Sequence, residues 1–441
     1  RSVRRGMMLP RPLLCPVVLL LLLAGSLAFL DCGGAFAHAK LPEGFFRGGA
    51  TRSGVGDLNY LRDVGATHAR VYAAWRYMQP QLHSLETNLT VSVLRGNPHL
   101  VQEWADTVPN WSLVDGDVNK TMDAGIIPIV EIGEGTKYFL PTYTPKNELA
   151  DPNVIGRDLY LAYLYRYSRA VVERYSRWGV TLWQIENEFN EAYLEGVIGQ
   201  RRFQVGGAWH DWDYCTEVLK TLYMAVKDAD PNGLTTMNFH TDVPKSLHEV
   251  LFLKGYYLDA VKDWEQYLDI ISYDAYPNDF ISYPLRYDVV GERAALIKKV
   301  VPNKKVFVME TGYPLAANAS DLPDSMQFTQ ERGAEWITGA IDSVVKNGGD
   351  GFLYFGLWKS AGMVPPPGGY TEEDFQAMTH LRDVLLDQHI ASAAAWFLGH
   401  VHYLTTRFPD ILGEEDNSWG LIRMDGTEGA AYHALKAAFS A

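Results

Sequence analysis

Two glutamates stand where apolar, β-rich runs end. Thr181-Leu182-Trp183-Gln184-Ile185-Glu186-Asn187-Glu188 closes on Glu188, and Val306-Phe307-Val308-Met309-Glu310 closes on Glu310. A single acid after a strand usually marks the return to solvent. Two acids on strands that face each other across a barrel mouth point to chemistry. One carboxylic acid can protonate a leaving oxygen while the other, ionised, attacks an anomeric carbon. Cleavage of a glycosidic bond with retention needs the two carboxyls about 5–5.5 Å apart, and inversion needs a wider gap for water. The acid must be kept protonated by burial or a negative neighbour, and its partner ionised by positive charge. Arg70, in His68-Ala69-Arg70-Val71-Tyr72, is the natural source of that charge. Its alternation with Tyr72 turns it inward. A buried guanidinium without a carboxylate is costly, and Glu310 would satisfy it.

The elements that carry these groups alternate. Short β-rich runs fall at 45–50, 67–72, 126–132, 181–188, 235–239, 269–273, 305–310 and 351–358. Helical stretches follow at 57–64, up to 124 with Ser112 as cap, and at 158–178, 214–228, 258–264, 291–300 and 330–346. A long Trp-rich loop is expected between the second run and Trp111. Eight β runs, each followed by helical sequence, predict a single-domain α/β fold, the (β/α)8 TIM barrel, over residues 40–441. An open doubly wound sheet also alternates in this way, but no Gly-rich phosphate loop follows the first run. In a barrel the active site lies at the carboxyl ends of the strands, where Glu188 and Glu310 stand.

In this setting the sequence resembles glycoside hydrolase clan A, and the resemblance spans residues 44 to 439. Asn187-Glu188 matches the clan's Asn-Glu at the end of strand four, Glu310 its strand-seven Glu, and Arg70 its strand-two Arg, with Trp75 following. Tyr276 is the better match for a strand-six tyrosine bonded to the nucleophile, and Tyr273 the second choice. Trp358 fits a tryptophan that floors the cleft after strand eight. Trp419-Gly420-Leu421-Ile422, Asp425-Gly426-Thr427 and Ala431-Tyr432 resemble the last βα stretch. The tone is nearest to families 5 and 39, and Glu310-Thr311-Gly312-Tyr313-Pro314 is also similar to families 17 and 53. Asp274 departs from family 5, where many members carry His, and the segment after Trp358 has no assigned counterpart. The resemblance implies a retaining, cellulase-like glycosidase with Glu188 as acid/base and Glu310 as nucleophile. It also implies that Asn187 bonds the 2-hydroxyl of the sugar beside the scissile bond.

Other residues are weaker candidates. Glu131 and Glu134 end strand three, and His240 and Asp242 follow strand five; each could reach a substrate hydroxyl. Trp75, Trp104, Trp111, Trp209 and Trp212 lie in stretches expected to overhang the mouth, where about two would stack on sugar. His400 and His402 alternate like metal ligands but have no carboxylate cluster beside them in sequence, so no metal and no cofactor are expected. Neither Gly-x-Ser-x-Gly nor His-Glu-x-x-His occurs, which sets aside the main serine and zinc hydrolase signatures.

The 441 residues carry a formal net charge of −14 and 12% aromatic residues. The acidic balance disfavours nucleic acid and favours a neutral glycan. Arg1, Arg4 and Arg5 precede an apolar run at 13–30, and Ala35-Phe36-Ala37 offers a cleavage site. Residues 1–39 therefore read as a secretory signal peptide and short leader, with a membrane signal anchor as the alternative. Cleavage there leaves Cys215 as the sole cysteine of a monomeric, extracellular domain without a disulfide. Asn88, Asn110, Asn119 and Asn318 lie in glycosylation sequons. A sugar-binding pseudoenzyme and a transglycosidase share the barrel and most of these residues, and remain the competing functions.

Overall fold

The structure, a computed structural model, describes residues 40–50, 58–135, 139–192, 207–243, 245–250, 253–278, 285–316, 328–360, 371 and 419–441. The expected leader, the Pro-rich turn at 365–369, Asn318, His400 and His402 lie outside the described residues.

Eight parallel strands close into a barrel in chain order. They are β1 (Phe46–Ala50), β2 (His68–Tyr72), β3 (Ile127–Ile132), β4 (Leu182–Asn187), β5 (Leu234–His240), β6 (Ile271–Asp274), β7 (Val306–Glu310) and β8 (Gly351–Tyr354). Closure is made by β1 against β8, with Phe46 opposite Gly351 and Gly49 opposite Tyr354. Every residue of β4, β6, β7 and β8 is buried, because a barrel strand meets other strands' side chains on one face and helices on the other. This explains why β7 and β8 read as nearly continuous apolar runs.

Around the barrel lie α1 (Leu58–Asp63), α2 (Ser112–Asp123), α3 (Arg157–Ser176), α4 (Trp212–Ala229), α5 (Tyr257–Trp264), α6 (Tyr287–Val300), α7 (Gln330–Lys346) and α8 (Ala430–Ser440). In α4 the buried Cys215, Val218, Leu219, Leu222, Ala225 and Val226 recur at helical spacing and form the stripe that faces the strands. The Asp211 side chain caps this helix by accepting from the Tyr214 amide, and Thr329 caps α7 by accepting from Arg332. Gly125 and Gly348, at φ 74° and 75°, turn the chain out of α2 and α7. Ser112 is the first residue of α2 rather than its cap, and Asn110 accepts from its amide instead.

The connection expected as a Trp-rich loop after β2 holds three short helices, Trp75–Met78, Val91–Gly96 and Pro98–Thr107. A small sheet joins Gln81–Leu82 to Thr142–Tyr143 and Glu148–Leu149. The helices form because Trp75, Met78, Leu94, Val101 and Trp104 all find buried places.

Among the described residues the core has two compartments. Phe46, Ile129, Leu182, Ile270, Phe307, Met309 and Leu353 form one cluster, drawn largely from the amino ends of the strands. A larger one fills the layer between strands and helices. α8 locks onto β1 and α1. The Arg47 guanidinium donates to the Phe439 carbonyl at 2.6 Å, and Tyr432 and Lys436 both reach the Asp63 carboxylate. Among the described residues no helix is long and apolar enough to cross a membrane.

Candidate active site

Polar side chains from six strands meet at the carboxyl ends. Arg70 comes from β2, Glu131 from β3, Gln184 and Asn187 from β4, Asn238 from β5, Asp274 from β6 and Glu310 from β7. All are buried. Arg70 is ion-paired with Glu310, although β2 and β7 are not neighbours, so the pair spans the barrel interior. The same guanidinium lies 3.0 Å from Glu131 through Nε, 3.4 Å from the Asn187 side-chain oxygen, and donates to the Tyr72 hydroxyl at 2.7 Å. Burial works against this charge, but Glu310, Tyr72, Glu131 and Asp274 outweigh it and hold the Arg70 pKa well above the ordinary arginine value. Arg70 is a fixed cation.

Glu310 has a second donor, the Tyr276 hydroxyl at 2.9 Å. Burial, Glu310 and Asp274 all push the Tyr276 pKa up, so it acts as a neutral donor. The Asn238 amide nitrogen is shared between Asn187 at 2.6 Å, Asp274, and Glu310 at 3.4 Å. Gln184 stands beneath and donates towards Asn238 at 2.8 Å and Asn187 at 3.3 Å. Arg70 and Asn238 thus both tie Asn187, the residue before Glu188, to Glu310.

Both glutamate-bearing strands lose their regular register just before the acid. The irregularity falls between Gln184 and Asn187 on β4, and between Val308 and Glu310 on β7. At the end of β4 two residues take left-handed backbone, Glu186 at φ 73° and, just past the strand, Glu188 at φ 45°. Such a conformation costs a non-glycine residue about 1–3 kcal/mol and collects at functional sites. The Glu188 amide donates to the Asn238 carbonyl at 3.0 Å, and its own carbonyl accepts from Glu191 at 2.8 Å. Glu188 is 5% and Glu310 4% exposed, so each sits at the edge of the buried network rather than in open solvent.

The remaining expected site residues are placed as follows. His240 lies between Glu191, 3.4 Å from Nδ1, and Asp242, 3.8 Å from Nε2. Asp242 also accepts the Tyr276 amide at 2.7 Å. Glu131, expected to touch substrate, is fully buried against Arg70 and compensates its charge instead. Tyr273, the second choice for the strand-six tyrosine, is turned the other way. It donates to the Val290 carbonyl of α6 at 2.6 Å and packs the barrel against that helix.

Trp75 does not reach the mouth. It is buried, stacks on Tyr167, meets Tyr163 edge-on and donates to Gln79. Trp358 is 2% exposed and offers no open face. Trp104 and Trp111 lie under Arg166 and Arg174, Trp209 donates to Asp151, and Trp212 stacks on Trp264 at 4.2 Å. None of the five tryptophans expected over the mouth stacks near Glu310. Tyr276 is bonded to Glu310, Tyr72 and Phe355 lie against the Arg70 guanidinium, and Trp419 stacks on Tyr276. Of the polar network, Gln184 and Asn238 had not been singled out from the sequence. Counting alternate residues back from His240 on β5 reaches Asn238, and would have found it.

Among the described residues no group of three or more His, Cys, Asp or Glu side chains is arranged to hold a metal ion. Cys215 is a free, buried thiol whose pKa burial pushes up.

Strand order, closure and the polar ring at the carboxyl ends define a (β/α)8 barrel of the kind that glycoside hydrolases use. No family model matches the chain, and no curated protein matches it. Solved structures do. GH5_18 from Streptomyces cattleya, in complex with GlcNAc, matches over 91% of this chain and 80% of its own, with TM-score 0.52 and 15% identity. Xylanase 10B from Thermotoga petrophila, in complex with xylobiose, matches over 92% and 99%, at 0.51 and 11%. A glucosidase from Croceicoccus marinus matches over 91% and 69%, at 0.50 and 16%. At these identities the likeness is one of fold.

Proposed function

We propose that this protein is a glycoside hydrolase that cleaves β-linked, neutral glycans with retention, using Glu310 as nucleophile and Glu188 as acid/base. One observation carries the reading: Arg70, a cation fixed across the barrel, bridges Glu310 and Asn187, the residue before Glu188. The Arg70 ion pair and the Tyr276 hydroxyl compensate a carboxylate at Glu310, the form that attacks an anomeric carbon. Glu188 lies on left-handed backbone at the opposite strand end. In the first step Glu310 bonds the anomeric carbon while Glu188 gives its proton to the departing oxygen. In the second, Glu188 takes a proton from water, and that water releases the sugar from Glu310. Asn187 is proposed to bond the sugar 2-hydroxyl. The named glycosidases of like fold support the reaction class, and the −14 net charge supports a neutral substrate.

The test is chemical rescue. On a panel of 4-nitrophenyl β-glycosides, Glu310→Ala is expected to lose at least about a thousandfold in kcat, and azide to restore part of it as an α-glycosyl azide. Glu188→Ala should lose least on substrates with good leaving groups. Full activity in Glu310→Ala, or equal losses for Glu188→Ala on every leaving group, overturns the assignment.

A further inference from the structure

The turn that carries Glu188 is held on β5 by a fully buried side chain, Asn190. Along a parallel strand, every second residue turns its N–H and C=O towards the same neighbour, and on β5 Asn238 and His240 are successive residues of that kind facing β4. Main chain still serves Asn238, whose carbonyl accepts the Glu188 amide at 3.0 Å. At Glu188 the main chain then leaves the sheet on left-handed backbone, and the Glu188 carbonyl accepts the Glu191 amide. For His240 the Asn190 side chain takes the place of β4. Its Oδ1 accepts the His240 amide at 3.0 Å, and its Nδ2 donates to the His240 carbonyl at 3.0 Å. One primary amide thus completes the rung that the strand would have made.

The same Nδ2 donates to the Gly255 carbonyl at 2.9 Å, which ties in the segment entering α5. The approach there is close: Gly255 has φ 114°, and a Cβ on it would lie 2.3 Å from the Asn190 carbonyl oxygen. Glu188 therefore has two anchors on β5, its own amide on Asn238 and, two residues on, the Asn190 side chain on His240. Left-handed backbone at a residue other than glycine persists only where the surroundings over-determine it, and Asn190 supplies that constraint. Asn238 also bonds Asn187 and reaches Glu310, so β5 is the common reference for both acids.

We infer that Asn190 is a positioning residue for the acid/base: by pairing with His240 it fixes the Glu188 turn on β5, and so the height at which Glu188 meets the departing oxygen. The inference rests on the function proposed above. Asn190 satisfies buried peptide groups in any case. Its loss should damage proton delivery and spare attack by Glu310, which Arg70 and Tyr276 hold.

The test compares leaving groups on the sugar that the unmodified protein cleaves best. From an aryl β-glycoside, 2,4-dinitrophenol departs without a proton and phenol needs one. Asn190→Ala should lower kcat/KM about 10–100-fold on the phenyl glycoside and less than about threefold on the dinitrophenyl one, the trend of Glu188→Ala at smaller size. Asn190→Ser, whose hydroxyl can serve one of the three bonds, should fall between the two and replaces the alanine variant should that one fail to fold. Tyr273→Phe, which loses a buried bond elsewhere in the barrel wall, should lower Tm with no dependence on the leaving group. Losses in Asn190→Ala or Asn190→Ser that are absent, or equal on both leaving groups, while Glu188→Ala keeps its trend, overturn the positioning role and leave the hydrolase standing. Should Glu188→Ala itself show no trend, or the unmodified protein turn over none of the glycosides, the acid/base assignment falls and the positioning role falls with it.

Discussion

Glu310 and Glu186 are both buried acids at strand ends, and their surroundings are opposite. Glu310 faces the barrel interior, where Arg70 and Tyr276 meet its two oxygens. Glu186 is fully buried two residues before Glu188, and its neighbours are not the site's. A Cβ on Gly133 would lie 3.0 Å from both its Oε1 and Leu222 of α4, and it is a neighbour that raises the pKa of Tyr160 and Tyr167 of α3 and of Cys215 of α4. The irregularity on β4 has sent Glu186 into the layer between strands and helices and Asn187 into the barrel. The backbone amides of Glu134 and Gly135 favour its charged form, but they are outweighed. Burial first, then Glu134 and Glu131, raises its pKa well above the ordinary carboxylate value. A carboxyl at a strand end thus meets a fixed cation or a neutralising, apolar layer according to the side of the barrel wall it lands on.

The contrast breaks most readily at its cation. Arg70→Leu strips compensation from Glu131 and Glu310 together and should cost about 3–5 kcal/mol of stability, read as a fall in denaturation midpoint. A variant as stable as the parent would mean that the pair contributes nothing to holding the ring. Tyr276→Phe removes one donor from Glu310 and should lower kcat/KM about 10–100-fold, equivalent to ~1.5–3 kcal/mol, with little change in Tm.

Glu186→Gln tests the other half. The unfolded chain ionises this group near 4.5, and the fold keeps it neutral to higher pH. Its contribution to stability is therefore whole below about pH 4.5 and is lost as pH rises through the folded-state pKa, at ~1.4 kcal/mol per pH unit. The glutamine variant should equal the parent at acid pH and gain on it steadily above, with turnover within a few-fold. Parallel stability curves across pH would show that Glu186 carries charge after all. The smallest effect belongs to Tyr273→Phe, which loses one hydrogen bond to Val290 and should cost about 1 kcal/mol without touching kcat.

Much of the frame was legible because barrel strands are buried on both faces. All eight β runs read from composition carry a barrel strand, with ends differing by a few residues. Helix ends were less so: the one cap read from the sequence, Ser112, is the first residue of α2 instead. Direction was harder. Trp75 follows β2 closely, yet a short helix rotates it onto Tyr163 and Tyr167. Tyr273 and Tyr276 are three apart, and alternation sends Tyr273 to the helices while Tyr276 lies past the strand's end, where alternation no longer rules. Gln184 and Asn238 look like filler in a sequence, because an amide shows its worth only once its acceptors are placed. Trp419 lies far along the chain from Tyr276, and nothing local announces that they stack.

The fastening of α8 to β1 and α1 also bears on the order in which the parts come together during synthesis. β1 waits for β8, Arg47 and Asp63 wait for α8, and Tyr276 waits for Trp419. A ribosome that has delivered both glutamates has not yet delivered the ring that backs one of them or the helix that bolts the barrel shut. Chains released short of α8 should therefore be handled by the cell as unfinished, however complete their acid pair.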